Sequence, residues 1–368
     1  MNLNSAQKNK EFFMLKIKLF FSIVLLVSGL IIFGGFIQTA NADNVKASAE
    51  WLEKGSTFYK TARFQEALEA FNKAINLNLK SSEAYTMRGN VYQQLGKKEQ
   101  AIGDYTKAIE LNPNQFEAYY ERGSMYRETG KETEAKNDWN KSIEIIGKTP
   151  KNAREYDIRG NAYGKLGNLQ EAIDDFAKAI ELNPGFVEGW FNRGVAYGRM
   201  GNWKQAVTEY STAIAKQSSF VAAYYNRAIA YEQLGNVKEA IADYTRVIQM
   251  DPRFSKAFVN RASLLADVGD FQGSINDLTK AIEINPQSAT AYFNRGIAYE
   301  GLNQYQNALA DMTKAIDLGL KAATVFNSRG IVYMKMNRFN EATEDFKSSA
   351  RLGSKEAMEY LKSKGVTW

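Results

Sequence analysis

Four of the five prolines in this 368-residue chain keep one rhythm. Pro252 and Pro286 lie 34 residues apart, Pro184 and Pro252 lie 68 apart, and Pro113 and Pro184 lie 71 apart. These spacings are one period, two periods, and two periods with three residues added. The fifth proline, Pro150, stands in Gly147-Lys148-Thr149-Pro150, where the added residues must fall. Self-similarity at a fixed period of about 20–50 residues confines a chain to a solenoid or array. A single unit cannot bury its own apolar face, so it stacks on the next.

Nine units begin at Ser48, Ser82, Phe116, Ala153, Val187, Val221, Ser255, Ala289 and Ala323, and they run to Glu356. Position 4 of each unit is aromatic, as in Trp51, Tyr85 and Phe326; position 8 is glycine or alanine; position 11 is tyrosine in seven units. Offsets of four and three place these residues on one helical face. A second helix follows, with alanine at position 20 in all units except Ser274 and an aromatic ring at position 24 in seven, such as Phe71, Trp139 and Phe346. A glycine inside a helix costs ~1 kcal/mol, so seven at position 8 imply that something packs closely against them. Position 15 is glycine in six units and Ala62, Asn303 and Asn337 in the others. That pattern predicts a left-handed residue closing the first helix, which glycine and then asparagine tolerate best.

The aromatic-x-x-x-Gly-x-x-Tyr…Ala-x-x-x-aromatic-x-x-Ala…Pro pattern resembles that of the tetratricopeptide repeat family, whose period and signature it shares. Departures are mild: Leu79, Gly147, Ser218, Leu320 and Ser354 replace the terminal proline, and unit one diverges most. The resemblance implies an all-α, right-handed solenoid of nine helix-turn-helix repeats over residues 48–356. Residues 43–47 are expected as a short linker and 357–368 as a capping helix and tail, with Ser354 as its N-cap. It also implies that positions 2, 5, 6, 9, 12 and 13 of each first helix face a concave groove.

Two residue sets recur on this frame. Arginine occupies position 7 in eight units, from Arg88 to Arg329, and Asp or Glu occupies position 23 in the same eight. Unit one loses both, having Lys54 and Ala70. Joint presence and joint loss predict an internal ion pair bridging each unit's helices rather than an anion-binding ladder. The second set is Asn192, Asn226, Asn260 and Asn294 at position 6 of units five to eight. Each amide offers a donor and an acceptor, so such a ladder suits an extended peptide's backbone; it is similar to the asparagine ladders of long tetratricopeptide superhelices. Neighbouring Phe191, Val195, Tyr225, Ile229, Val259, Phe293 and Ile297 would supply apolar pockets. The alternative stays open: solvated asparagines and aromatics packed between units. Removing all four asparagines is expected to cost little stability. Chaperone-binding members of the family carry a lysine at position 5. Here position 5 holds Leu52, Thr86, Asp157, Asn327 and aromatic or aliphatic residues, so a chaperone tail is a poor ligand.

Composition narrows the function. The absence of Cys and His excludes thiolate chemistry, zinc-thiolate sites, the Ser-His-Asp triad and the HExxH motif. The repeats leave 47 residues before them and 12 after, too few for a catalytic domain, and no enzyme activity, cofactor or metal is expected. Half of the net charge of +6 belongs to the first 42 residues. The balanced remainder is a poor polyanion binder, so nucleic acid is not the expected partner. Leu19–Ile37 is uncharged, follows a lysine-rich stretch and precedes Ala40-Asn41-Ala42, a small-x-small cleavage pattern. Residues 1–42 are read as either a cleaved signal peptide or a membrane anchor through 19–37, and both place Asp43 onward outside the cytoplasm. The expected function is a non-enzymatic scaffold binding a protein or extended peptide in the groove. The alternative is an assembly factor for an envelope, pilus or secretion complex acting through the convex face.

Overall fold

The computed structural model describes residues 43–368; the expected signal or anchor segment, 1–42, lies outside them. The described residues are helices joined by short turns, with no strand among them, and none of these helices is long and apolar enough to cross a membrane. The chain divides into two compact units at Pro150–Lys151, the site of the three added residues. The first unit pairs α1 (43–60) with α2 (Phe64–Leu77), α3 (Ser82–Gln94) with α4 (Lys98–Leu111), and α5 (Phe116–Glu128) with α6 (Glu132–Ile146). The second begins with α7 (Ala153–Leu166) and α8 (Leu169–Leu182), α9 (Val187–Arg199) and α10 (Trp203–Lys216), and α11 (Val221–Gln233) and α12 (Val237–Met250). It continues with α13 (Ser255–Asp267) and α14 (Phe271–Ile284), α15 (Ala289–Gly301) and α16 (Tyr305–Asp317), and α17 (Ala323–Lys335) and α18 (Phe339–Arg351). A single helix, α19 (Lys355–Ser363), closes it.

Residues 43–47, expected as a linker, are helical and continuous with α1. No proline or glycine interrupts the run from Asp43 to Lys54, so nothing stops the helix at its expected start. At the other end α19 starts at Lys355, two residues before its expected start. Ser354 caps it, its hydroxyl accepting from the Ala357 N–H at 3.3 Å. Leu361 and Ala357 on α19 are buried against the last pair.

Each turn obeys the expected chemistry. Position 15 has positive φ in all nine units, including the non-glycines Ala62 (56°), Asn303 (59°) and Asn337 (58°). The next N–H then reaches back to the position-11 carbonyl, as from Lys97 to Tyr92 at 2.8 Å and from Gln304 to Tyr299 at 2.8 Å. Those bonds satisfy carbonyls that the helix end would otherwise leave open.

Position 8 packs as the glycine cost implies. A Cβ built on Gly55 would sit 2.5 Å from the Phe71 ring, and one on Gly123 would sit 2.8 Å from Trp139. The second helix therefore lays its position-24 ring directly on the first helix's backbone. Within each unit, helices in extensive contact are neighbours in sequence, and consecutive first helices, such as α7 and α9, also touch.

The arginine–carboxylate pairs are present in all eight expected places. In seven of them the fork is bidentate, as where Arg88 Nε and Nη2 each donate to Asp104 at 2.7 Å. Many of these guanidiniums also lie between the rings at positions 4 and 11, as Arg227 does between Tyr224 and Tyr231. A further bond was not foreseen. Nη1 donates to the residue 16 positions earlier, on the preceding pair's second helix: Asn72, Thr106, Ser211, Thr245, Thr279 or Thr313. The arginine thus ties together three helices rather than two.

The station at Arg193 departs from the bidentate design. Glu209 replaces aspartate opposite Arg193, and both of its oxygens engage Nη2, at 2.9 and 2.8 Å. The extra methylene carries the carboxylate past Nε, which is buried without a partner. Sixteen residues before Arg193 stands Ala177, which has no hydroxyl to meet Nη1. The junction of α8, α9 and α10 is the least well satisfied in the ladder.

Candidate functional site

The face formed by the first helices of the second unit carries every residue singled out from the sequence. Phe191, Asn192, Val195, Tyr225, Asn226, Ile229, Val259, Asn260, Phe293, Asn294 and Ile297 are all half-buried. The spacing that placed them together on one face is observed, yet they do not all present themselves in the same way.

The four asparagines differ most. Asn192 Nδ2 donates to Asp157 Oδ1 at 2.9 Å, across to the preceding first helix. Asn226 Nδ2 turns onto its own helix, donating to the Ala222 carbonyl at 2.9 Å. Asn260 Nδ2 lies between two phenol oxygens, Tyr244 at 3.0 Å and Tyr225 at 3.3 Å. Asn294 makes no such bond among the described residues. The expectation that all four could be removed at little cost is therefore corrected for Asn192 and Asn260. Both amides hold neighbouring side chains in place, and losing them strands partly buried polar atoms.

Two of the aromatics at position 5, Phe191 and Tyr225, act mainly as spacers. Phe191 packs on Phe220 and Tyr210, with ring centroids 4.9 and 5.8 Å away. Tyr225 repeats this arrangement on Phe254 and Tyr244, at 4.9 and 5.7 Å. They fill the gap between successive pairs instead of lining open pockets. Val195 and Ile229 pack at the edges of these clusters, whereas Phe293 and Ile297 pack on a further one around Leu309 and Met312.

An open cleft lies elsewhere on this face, between α7 and α9. About 100 Å³ of space is enclosed there by Leu169, Phe176, Val195 and Ala196 below and by Asn161 and Asn192 at the side. Gly164, Lys165 and Arg199 complete its rim. Arg199 crosses from α9 to donate Nη1 to the Gly164 carbonyl at 2.6 Å. The last turn of a helix carries partial negative charge, which favours a cation there.

Sequence reasoning missed three participants. Asp157 stands where four other units carry rings; burial, with Glu188 near it, raises its pKa to about 6 against the pull of Asn192 and Arg154. Glu232 hydrogen-bonds Tyr244, and burial raises its carboxyl above the usual range. Its Oε1 is buried without a partner. Gly164 is the third. The available signal was position 12, where Gly164 and Gly198 replace the larger residues of most other units. Among the described residues, no group of three or more acidic side chains is placed to hold a metal ion.

Family models for the tetratricopeptide repeat match residues 51–81, 82–115, 104–137, 221–254 and 289–318. A further repeat model matches 160–201, 199–235 and 262–303. The chain belongs to the tetratricopeptide repeat family. Its helix pairs are tetratricopeptide repeats, and the described residues are all-α, of the kind that serves as a protein-interaction scaffold.

Solved structures show the same fold. The APC/C hetero-tetramer Cut9-Hcn1 aligns over 81% of this chain and 59% of that one, with a TM-score of 0.54 and 20% identity. The chain thus spans about three fifths of that protein's length. A human IFIT1 dimer with PPP-AAAA aligns over 83% of this chain and 73% of that one, at TM-score 0.57 and 16% identity. A monomeric IFIT1 mutant with Gppp-AAAA gives TM-score 0.59 at 15% identity, over 83% and 72%. No curated protein matches the sequence closely enough to count as a relative.

Proposed function

We propose that this tetratricopeptide array binds an extended segment of a partner protein along the first-helix face of its second unit, in a compartment outside the cytoplasm. One observation carries the reading. Asn226 and Asn294, two repeats apart, have no side-chain partner among the described residues, while half-buried Ile229, Phe293 and Ile297 lie one position-set away. Amide groups repeated at a fixed rise beside apolar side chains suit a peptide backbone with alternating side chains. A stacked array holds such groups in place before the partner arrives, which lowers the ordering cost of binding.

The arginines that an RNA would need are engaged by carboxylates at position 23, which favours a polypeptide over the ligands held by the IFIT1 neighbours. The location rests on Leu19–Ile37 and Ala40-Asn41-Ala42. Amino-terminal sequencing of the mature chain tests it: a start at Asp43 supports cleavage, and retention of Met1 in the soluble cytoplasmic fraction contradicts export.

The double change Asn226→Ala and Asn294→Ala tests the face itself. Neither amide holds another side chain, so stability should move by less than about 0.5 kcal/mol per site. Affinity for the native partner should fall about tenfold, at ~0.5–1.5 kcal/mol per lost hydrogen bond. Unchanged affinity would reject the asparagine face and favour assembly through the convex side.

A further inference from the structure

The cleft between α7 and α9 has a shape and charge that the asparagine face does not explain. Its floor is aliphatic and aromatic, from Leu169, Phe176 and Val195, and at about 100 Å³ it is of the order of cavities that admit small apolar molecules. Both ionised residues that line it, Lys165 and Arg199, are cationic. Arg199 is exposed but not free to wander, because the Gly164 carbonyl holds its Nη1. A guanidinium fixed by one nitrogen presents its remaining donors in a set direction, the geometry that receives a carboxylate.

Gly164 is the second observation. The glycines at position 8 are imposed by position-24 side chains that leave no room for a Cβ, and those at position 15 by positive φ. Gly164 has neither excuse. It lies inside α7, and a Cβ there would meet only Arg199 Nη1 at 3.9 Å and the Ala172 Cβ at 4.0 Å, both ordinary contacts. Helix-interior glycine is disfavoured against alanine, so packing and backbone both allow a better residue than the one present. What a side chain at 164 would do is occupy the cleft.

We propose that this cleft is a recognition pocket for an aliphatic side chain of the partner segment, with an acidic residue beside it received by Arg199. The proposal rests on the polypeptide-binding reading above and adds the chemistry that the partner must carry. Asn161 and Asn192, at the cleft's side, are positioned to meet the backbone between the two anchoring residues. Asn192 is itself held by Asp157, which fixes the amide's direction.

The test uses the full chain and four fluorescein-labelled decapeptides of Gly, Ser and Asn that differ only in a central pair: Leu-Glu, Leu-Lys, Ser-Glu or Ser-Lys. Fluorescence anisotropy should rank Leu-Glu tightest, about tenfold over Ser-Glu for the buried side chain and severalfold over Leu-Lys. Gly164→Leu, checked for unchanged helicity by circular dichroism, should erase the preference for Leu over Ser. Arg199→Ala, an exposed change that leaves the core alone, should erase the preference for Glu over Lys while keeping that for Leu. Equal binding of all four peptides, no binding of any, or a leucine preference that survives Gly164→Leu would each overturn the pocket. Equal binding that still falls in the Asn226→Ala, Asn294→Ala variant would overturn the pocket alone and leave the wider face standing.

Discussion

Arg193 offers the sharpest quantitative test of the ladder between helices. Its Nε is buried without a partner because Glu209 overshoots, and its Nη1 has no hydroxyl to meet because residue 177 is alanine. The double change Glu209→Asp and Ala177→Ser rebuilds the arrangement of the other stations. The backbone is already in place: a Cβ on Gly194 would lie 3.1 Å from Glu209 Cβ, as one on Gly160 would lie 3.1 Å from Asp175 Cβ. An unsatisfied buried donor costs ~1–3 kcal/mol, and each new hydrogen bond adds ~0.5–1.5 kcal/mol net. The side chains of the pair keep 17% and 10% of their exposure, so solvent screens part of the gain. The expected stabilisation is about 2 kcal/mol, or about thirtyfold in an opening equilibrium. Repeat arrays open locally, so the readout is amide hydrogen exchange across α9 and α10 rather than a global midpoint. Exchange about thirtyfold slower there, with α17 and α18 unchanged, supports the reasoning. Unchanged or faster exchange in α9 would refute it, since it would mean that the orphaned Nε costs the fold nothing.

Three other expectations follow from the same geometry. Ala62 holds φ of 56° in the first turn, a conformation that costs an L-residue ~1–2 kcal/mol, so Ala62→Gly should stabilise the first unit by about 1 kcal/mol, read as a higher urea midpoint. Gly123→Ala would press a methyl to 2.8 Å from Trp139 and 3.0 Å from the Ala135 carbonyl; overpacking of that kind costs ~1–3 kcal/mol, read from Trp fluorescence during unfolding. Asp157 has a folded pKa of about 6 against an ordinary value of 3.8, because burial penalises its charge. Between those values the folded chain keeps a proton that the unfolded chain has lost. Its contribution to stability is therefore full below about pH 4 and is lost as the pH rises through about 6. Asp157→Asn should flatten the fall in urea midpoint over that window, and an unchanged slope would assign the titration elsewhere.

The fold was legible because each repeat restates the same constraints. Position 8 reports a close approach, position 15 a left-handed turn, and the paired gain and loss at positions 7 and 23 an ion pair; periodic sampling turns each weak signal into a strong one. What escaped depended on a single unit or on a partner in another helix. The Nη1 bond joins residues 16 apart whose side chains vary among Asn, Ser and Thr, so no single residue type marked it. The four asparagines looked equivalent in sequence, but their surroundings set their roles: Asp157 beside Asn192, two phenols beside Asn260, a backbone carbonyl beneath Asn226. Gly164 passed unnoticed because a helix-interior glycine ordinarily signals packing, and only coordinates show that nothing presses on it.

Site-specific photocrosslinking in the cells that express the protein tests the central claim most directly. A benzophenone side chain is placed in turn at Asn226 and Asn294 on the first helices and at Lys238 and Gln272, exposed on the second helices. The account predicts one adduct of the same mass from Asn226 and Asn294, and none from Lys238 or Gln272. An adduct formed only from Lys238 or Gln272 would contradict it.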